Sequence, residues 1–184
     1  MKKIIGITGS MGSGKTYAVG IFKKICKERK IKAIFLDVDD IRRNILKKEN
    51  IDRERLNKKI YNNIEEMKIY KHFINPKIRE YLISQINTNN GFIFIEWALL
   101  VEDNLCDIVD TIIMINCQSQ IQIKRLEKGD LGKEEIIKRL NLQLTNEQKI
   151  EKIKQLNKKF YIIDTSDNPG VKVYKNILEK EEVK

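Results

Sequence analysis

Long apolar runs are missing from this sequence. No stretch approaches the roughly 20 apolar residues of a membrane-spanning helix, and Met1-Lys2-Lys3 leads into a strand-like run where a secretion signal would carry its apolar core. A cytoplasmic protein without a membrane partner is expected. Cysteine is scarce too: Cys26, Cys106 and Cys117 are odd in number and lack metal-site spacing, so reduced thiols in apolar segments are expected. The single histidine, His72, has no recognisable partner for proton transfer, which leaves it a surface or packing role. Repeats, low-complexity tracts and interdomain linkers are likewise missing. With 41% apolar and 34% charged residues in 184, the chain is expected to fold as a single domain over 1–184.

Acidic residues fall short of basic ones, 26 against 36, for a net charge of +10. Such an excess raises the question of nucleic acid, whose phosphates clustered Lys and Arg neutralise. Here the excess is spread along the chain. Lys59, Lys152 and Lys158 stand opposite apolar positions of helical segments, describing solvated faces and not a binding stripe, and no nucleic-acid partner is expected.

Five apolar, β-branched runs read as strands: Lys3 to Thr8, Lys32 to Leu36, Phe92 to Glu96, Thr111 to Asn116 and Phe160 to Asp164. They are nearly continuous, the mark of strands covered on both faces. With helical stretches between them, they predict an α/β fold: three layers, a five-stranded parallel sheet flanked by helices. Ala18, Phe22 and Ile25 give one helix an apolar face. Leu56, Ile60, Ile64 and Met67 make a second stripe, and Ile78, Leu82 and Ile86 a third, so residues 50–90 are expected to form a helical flap on the substrate side. Asn75-Pro76 reads as an N-cap followed by proline at the first helical position. Thr145 and Gln148 have capping-box spacing, and Val171, Tyr174 and Leu178 mark a final helix.

The strongest signal is Gly9-Ser10-Met11-Gly12-Ser13-Gly14-Lys15-Thr16, the full spacing of a phosphate-binding loop, set after a strand and opening a helix. Glycines let successive amides turn inward on phosphate oxygens, and the helix start adds its positive dipole end. Lys15 is expected to reach the β- and γ-phosphates of ATP, and Thr16 to offer its hydroxyl to Mg²⁺. At the end of the second strand stands Leu36-Asp37-Val38-Asp39-Asp40. If that strand neighbours the first, Asp37 or Asp39 could take an alcohol proton or hold a magnesium-bound water, while Asp39 or Asp40 could instead cap a helix beginning at Ile41. Trp97 could shape a pocket or fill core space. Arg125, Lys128, Gly129, Asp130, Gly132 and Arg139 outline a basic lid over about 125–140, or simply solvated cations.

In this order, the pieces resemble the dephospho-coenzyme A kinases, P-loop kinases related in fold to the nucleoside monophosphate kinases. The likeness is carried by Ile7-Thr8-Gly9 into Gly12-Ser13-Gly14-Lys15, Leu36-Asp37-Val38-Asp39, Ala98-Leu99-Leu100-Val101-Glu102, Gln122-Ile123-Lys124-Arg125-Leu126 and Arg139-Leu140-Asn141-Leu142-Gln143. It implies transfer of the γ-phosphoryl of ATP to the ribose 3′-hydroxyl of dephospho-coenzyme A, with Asp39 as general base, Asp37 as its partner, and Lys15 and Arg125 at the phosphates. Gly9, Met11, Gly12, Ser13, Gly14, Lys15, Thr16, Tyr17 and Arg139 would contact the nucleotide, and Leu99, Leu100 and Glu102 would form the acceptor side. The chain departs from the family pattern at Ser10, Asn57, Asn75, Ala98, Lys128 and Thr165, mostly on the acceptor side. Another adenosine-containing alcohol, a nucleoside or nucleotide acceptor, or nucleotide binding without turnover are the alternative readings.

Overall fold

The structure, a computed structural model, describes residues 1–60, 63–129 and 132–182, apart from the side chain of Lys58. The five apolar runs become β1 (Lys2–Thr8), β2 (Ala33–Asp37), β3 (Gly91–Glu96), β4 (Thr111–Asn116) and β5 (Lys159–Asp164), all parallel, in the order β2-β3-β1-β4-β5. Eight α-helices connect and flank them among the described residues: α1 (Lys15–Glu28), α2 (Val38–Lys48), α3 (Arg53–Ile60), α4 (Ile64–Thr88), α5 (Ser119–Leu126), α6 (Lys133–Asn141), α7 (Asn146–Gln155) and α8 (Gly170–Glu182). None is long and apolar enough to cross a membrane.

The sheet is apolar on both sides because its strands carry no polar alternation. Phe92 and Phe94 of β3 pack with Ile5 and Ile7 of β1 against Ala18, Phe22 and Ile25 of α1 and Tyr174 and Leu178 of α8. Ile93 and Ile95 face the opposite layer, with Ile112, Met114, Ile74, Ile78 and Leu82 of α4 and Ile153 of α7. Successive residues of one strand thus feed two cores. Glu181 fastens α8 below the sheet, receiving Thr111 Oγ1 and Tyr161 OH at 2.9 Å and the ammonium groups of Lys3 and Lys159 at 3.0 and 2.7 Å. The three thiols are buried and free, and the Thr145–Gln148 capping box is formed at the start of α7.

Several local expectations change. Pro76 lies inside the 25-residue α4, whose cap is Asn63; burial of Ile74 and Ile78 on either side of the proline holds the helix through the missing N–H. Asn75 is therefore a mid-helix side chain and not an N-cap. Ile64 opens α4 and is 70% exposed, outside the stripe assigned to it. Lys59 and Lys152 are exposed as expected, but Lys158 turns inward to donate to Val109 O at 2.6 Å. The flap range 50–90 contains α3 and α4, and the lid range 125–140 contains the end of α5 and most of α6, with Asp130 outside the described residues.

Candidate active site

β1 occupies the centre of the sheet, so the loop after it opens where the chain connections diverge to either side, the position at which open α/β sheets bind ligands. Gly9, at φ 145, packs so tightly that a Cβ there would lie 2.3 Å from Ile115 O. Gly14, at φ 92, is the left-handed cap from which α1 starts without a capping side chain. The first turn of α1 is left to an outside acceptor. Inside the loop, Ser13 Oγ is buried with no hydrogen-bond partner, a polar atom that a phosphate oxygen would satisfy. Glycine cradle, uncapped helix start and unpartnered hydroxyl fit a nucleotide triphosphate.

Lys15 donates to Ser10 O at 3.1 Å. Burial pulls its ammonium down to about 8, against Glu96, Asp39 and Asp37, which raise it, while Lys149 adds to the lowering. The charge is held in a site short of solvent and awaiting counter-charge. Thr16 Oγ1 donates to Glu96 Oε1 at 2.9 Å. Burial raises the Glu96 carboxyl above the usual range, the Thr16 hydrogen bond working against it and Asp37 reinforcing it.

Glu96 is the site residue that sequence reasoning missed, since it reads as the last residue of an apolar strand. Its placement follows from strand order. The condition set on Asp37 and Asp39, that β2 neighbours β1, is not met: β3 lies between them, with Asp37 in register with Glu96 and Glu96 with Ile7. Glu96 thus takes the position nearest the loop, and the β2 carboxylates stand one strand farther out. They still reach the same space because α2 begins directly at Val38. Asp37 Oδ1 accepts from Asp39 N at 2.8 Å and Asp40 N at 3.2 Å, so Asp37 is the cap, and Asp39 and Asp40 lie in the first turn and do not cap a helix starting at Ile41. Asp39 pairs with Arg42 at 3.0 Å.

A cavity of about 430 Å³ joins these groups. Met11, Gly12, Lys15 and Thr16 of the loop and α1 line it together with Asp37, Asp39, Arg42 and Arg43, and Arg139 and Gln143 border it as well. Its far part runs between Ile60, Met67, Tyr70, Ile74 and Asn75 of the helical stretch and the segment Trp97–Leu99. Trp97 is both pocket wall and core, lining the cavity at 7% exposure. Lys71 pairs with Asp103 at 2.8 Å, tying α4 to the segment after β3. Tyr17 is 60% exposed on α1 and is not among the cavity's lining residues. Arg125 is also not among them: Nη1 and Nη2 donate to Thr165 Oγ1 and O at 3.1 and 2.5 Å, close to Gly14. Thr165 Oγ1 in turn lies 2.6 Å from Ser13 O. His72 is exposed on α4.

The segment after β3 is anchored from below. Lys149, fully buried on α7, donates to Ala98 O at 2.8 Å and pairs with Glu102. Glu102 Oε1 also accepts from Leu144 N at 3.1 Å. Removing one member of such a pair strands the other's charge without water. Lys149→Met is expected to lower stability by about 3 kcal/mol, read as a fall in the urea midpoint. Neutralising both partners, with Glu102→Gln added, should recover part of that loss.

Sheet order, phosphate loop and cavity define the class: a P-loop kinase. Comparison with known proteins narrows it. The sequence model of the family described as dephospho-CoA kinase matches residues 38–158. The dephospho-CoA kinase of Rickettsia bellii is 32% identical over 160 residues, covering 80% of this chain and 83% of its own. That of Campylobacter jejuni is 30% identical over 172 residues, covering 83% and 85%. Among solved structures, a Thermus thermophilus protein superposes with a TM-score of 0.79 at 18% identity over 97% of both chains. The deoxyadenosine kinase of M. mycoides, with bound dATP, gives 0.59 at 18% identity over 97% of this chain and 100% of its own; both are likenesses of fold. The chain belongs to the dephospho-CoA kinase family. The family match begins at Val38, so the phosphate loop stands on its own spacing and geometry.

Proposed function

We propose that this protein transfers the γ-phosphoryl group of ATP to the ribose 3′-hydroxyl of dephospho-coenzyme A, the last step of coenzyme A biosynthesis. The observation that carries the reading is one continuous cavity joining Lys15 and Thr16 to Asp39 and on to the walls made by α4 and Trp97–Leu99, space for a donor and an acceptor end to end. In the reaction the acceptor oxygen bonds to the γ-phosphorus as the bond from that phosphorus to the β–γ bridging oxygen breaks, releasing ADP. The hydroxyl proton passes to Asp39. Asp37 supports Asp39 by fixing the first turn of α2 through its cap, and Lys15 and Arg139 balance charge spreading over the phosphoryl oxygens. Arg125, bonded to Thr165 beside Gly14, braces the loop.

The donor set fits magnesium. Thr16 Oγ1 would hold it, with Glu96 reaching it through water, and it would neutralise charge developing on the transferring group. Magnesium keeps several waters and binds through few protein groups together with substrate phosphates. Glu96→Ala is expected to raise the magnesium concentration for half-maximal activity about tenfold, measured by titrating Mg²⁺ at saturating ATP; an unchanged midpoint would remove Glu96 from the metal's surroundings.

ADP release by the purified protein tests the whole reading. Turnover with dephospho-coenzyme A, and a product carrying the new phosphate at the 3′ position, is the expected result. Turnover of nucleosides or nucleotides with none of dephospho-coenzyme A would replace the acceptor and leave the kinase chemistry in place.

A further inference from the structure

Gln143 follows α6 by two residues, four residues beyond Arg139, and borders the cavity beside the loop. Its carboxamide lies against the loop's backbone, accepting from Met11 N at 3.0 Å. That bond fixes its orientation: the partner is an N–H donor, so the oxygen must face Met11 and the NH₂ group must point away. The NH₂ group makes no hydrogen bond to the described residues. The peptide unit that Gln143 grips is the one Lys15 holds. Lys15 Nζ donates to Ser10 O, and Gln143 Oε1 accepts the N–H at the other end of the same planar group. Two side chains, one cationic and one neutral, therefore flank one peptide of the phosphate loop, and both line the cavity.

The segment that presents Gln143 is held at several points. Leu144 N donates to Glu102, Asn146 Nδ2 to Cys117 O at 3.0 Å, and Ser10 Oγ to Asn146 Oδ1 at 3.0 Å. The capping box of Thr145 and Gln148 closes the turn immediately after it. Preorganised donors of this kind stabilise charge without reorganising when it appears.

We propose that Gln143 is a catalytic residue whose Nε2 group donates to an oxygen of the terminal phosphoryl of ATP while its Oε1 keeps hold of the loop. The assignment rests on the nucleotide half of the proposed function and is independent of the acceptor's identity. Glutamine suits the position for a physical reason: a carboxylate could hold Met11 N–H equally well, but its second oxygen would set negative charge against the phosphoryl group.

Gln143→Glu keeps the bond to Met11 and changes only what faces the nucleotide, so it separates the two jobs of the side chain. Calorimetric affinities for ATP and ADP, both with magnesium and without acceptor, provide the readout. ATP binding is expected to weaken about thirtyfold in Gln143→Glu, with ADP affinity within about threefold of the parent, and turnover to fall about a hundredfold. Gln143→Ala loses the donor without adding charge, and its ratio of ATP to ADP affinity is expected to fall about fivefold; it decides the matter alone if the glutamate variant does not fold. Equal weakening of ATP and ADP, or no change in either, would overturn the assignment. A failed acceptor assay with the expected nucleotide pattern would count against the acceptor and not against Gln143.

Discussion

Lys15→Met will fold, melt above the parent protein at pH 7, and turn over at least about a thousandfold more slowly. Both effects come from one observation: the ligand-free protein holds the Lys15 ammonium where burial pulls it down to about 8 despite three neighbouring carboxylates. Turnover falls because, among the described residues, Lys15 is the cation bonded to the peptide between Ser10 and Met11, and methionine supplies the stem without the charge. Stability rises because a folded-state value below the unfolded one means that the fold disfavours the charged form. The sign is specific. Below about pH 8 both folded and unfolded chains carry the proton and the cost is complete. As pH rises from about 8 toward the unfolded value of 10.5, the folded chain has released the proton while the unfolded chain still binds it, so the parent gains stability and the gap closes. Allowing for solvent screening of this half-buried group and for the lost bond to Ser10 O, the gap at neutral pH is about 1–2 kcal/mol. Melting curves at pH 7 and pH 10 measure it. A variant less stable than the parent at pH 7 would show that Lys15 supports the ligand-free fold.

What the sequence made legible divides by interaction range. Spacing alone locates the phosphate loop, because Gly9 and Gly14 need their left-handed backbone wherever the loop occurs, and the continuous apolar runs lead directly to the parallel sheet. Strand order is another matter. Nothing local says that β3 and not β2 lies beside β1, so the position of Asp37 and Asp39 stays conditional in the sequence and Glu96 carries no mark of its place. One signal was available: a carboxylate closing the apolar run Phe92 to Ile95 is costly at a buried strand end unless something there uses it. Pro76 misled for the opposite reason, since a strong local signal was overridden by burial of its neighbours. The pairings of Lys149 with Glu102 and of Gln143 with Met11 span 47 and 132 residues, and no spacing rule reaches across such distances.

Asp39→Asn is expected to lower turnover about 100- to 1000-fold while ATP affinity stays within about threefold of the parent. Two carboxylates reach the cavity from the start of α2, and the structure gives them different work. Asp37 Oδ1 is committed to two backbone amides, a geometry asparagine reproduces, so Asp37→Asn should keep the helix cap and melt close to the parent. Among the described residues Asp39 accepts no backbone hydrogen bond; its ion pair is with Arg42, one turn along the same helix, and its side chain lines the cavity and is 60% exposed. An acceptor hydroxyl can displace that pairing at little cost, because exposed ion pairs contribute about 0–1 kcal/mol. Asparagine fills the same volume but cannot take a proton at neutral pH, so the loss should fall on the chemical step and appear equally in kcat and in kcat/KM for the acceptor. Single-turnover phosphoryl transfer, with enzyme and ATP premixed, isolates that step. If Asp39→Asn transfers at the parental rate while Asp37→Asn does not, the base is Asp37, acting through the oxygen its cap leaves free, and Asp39 serves to position Arg42.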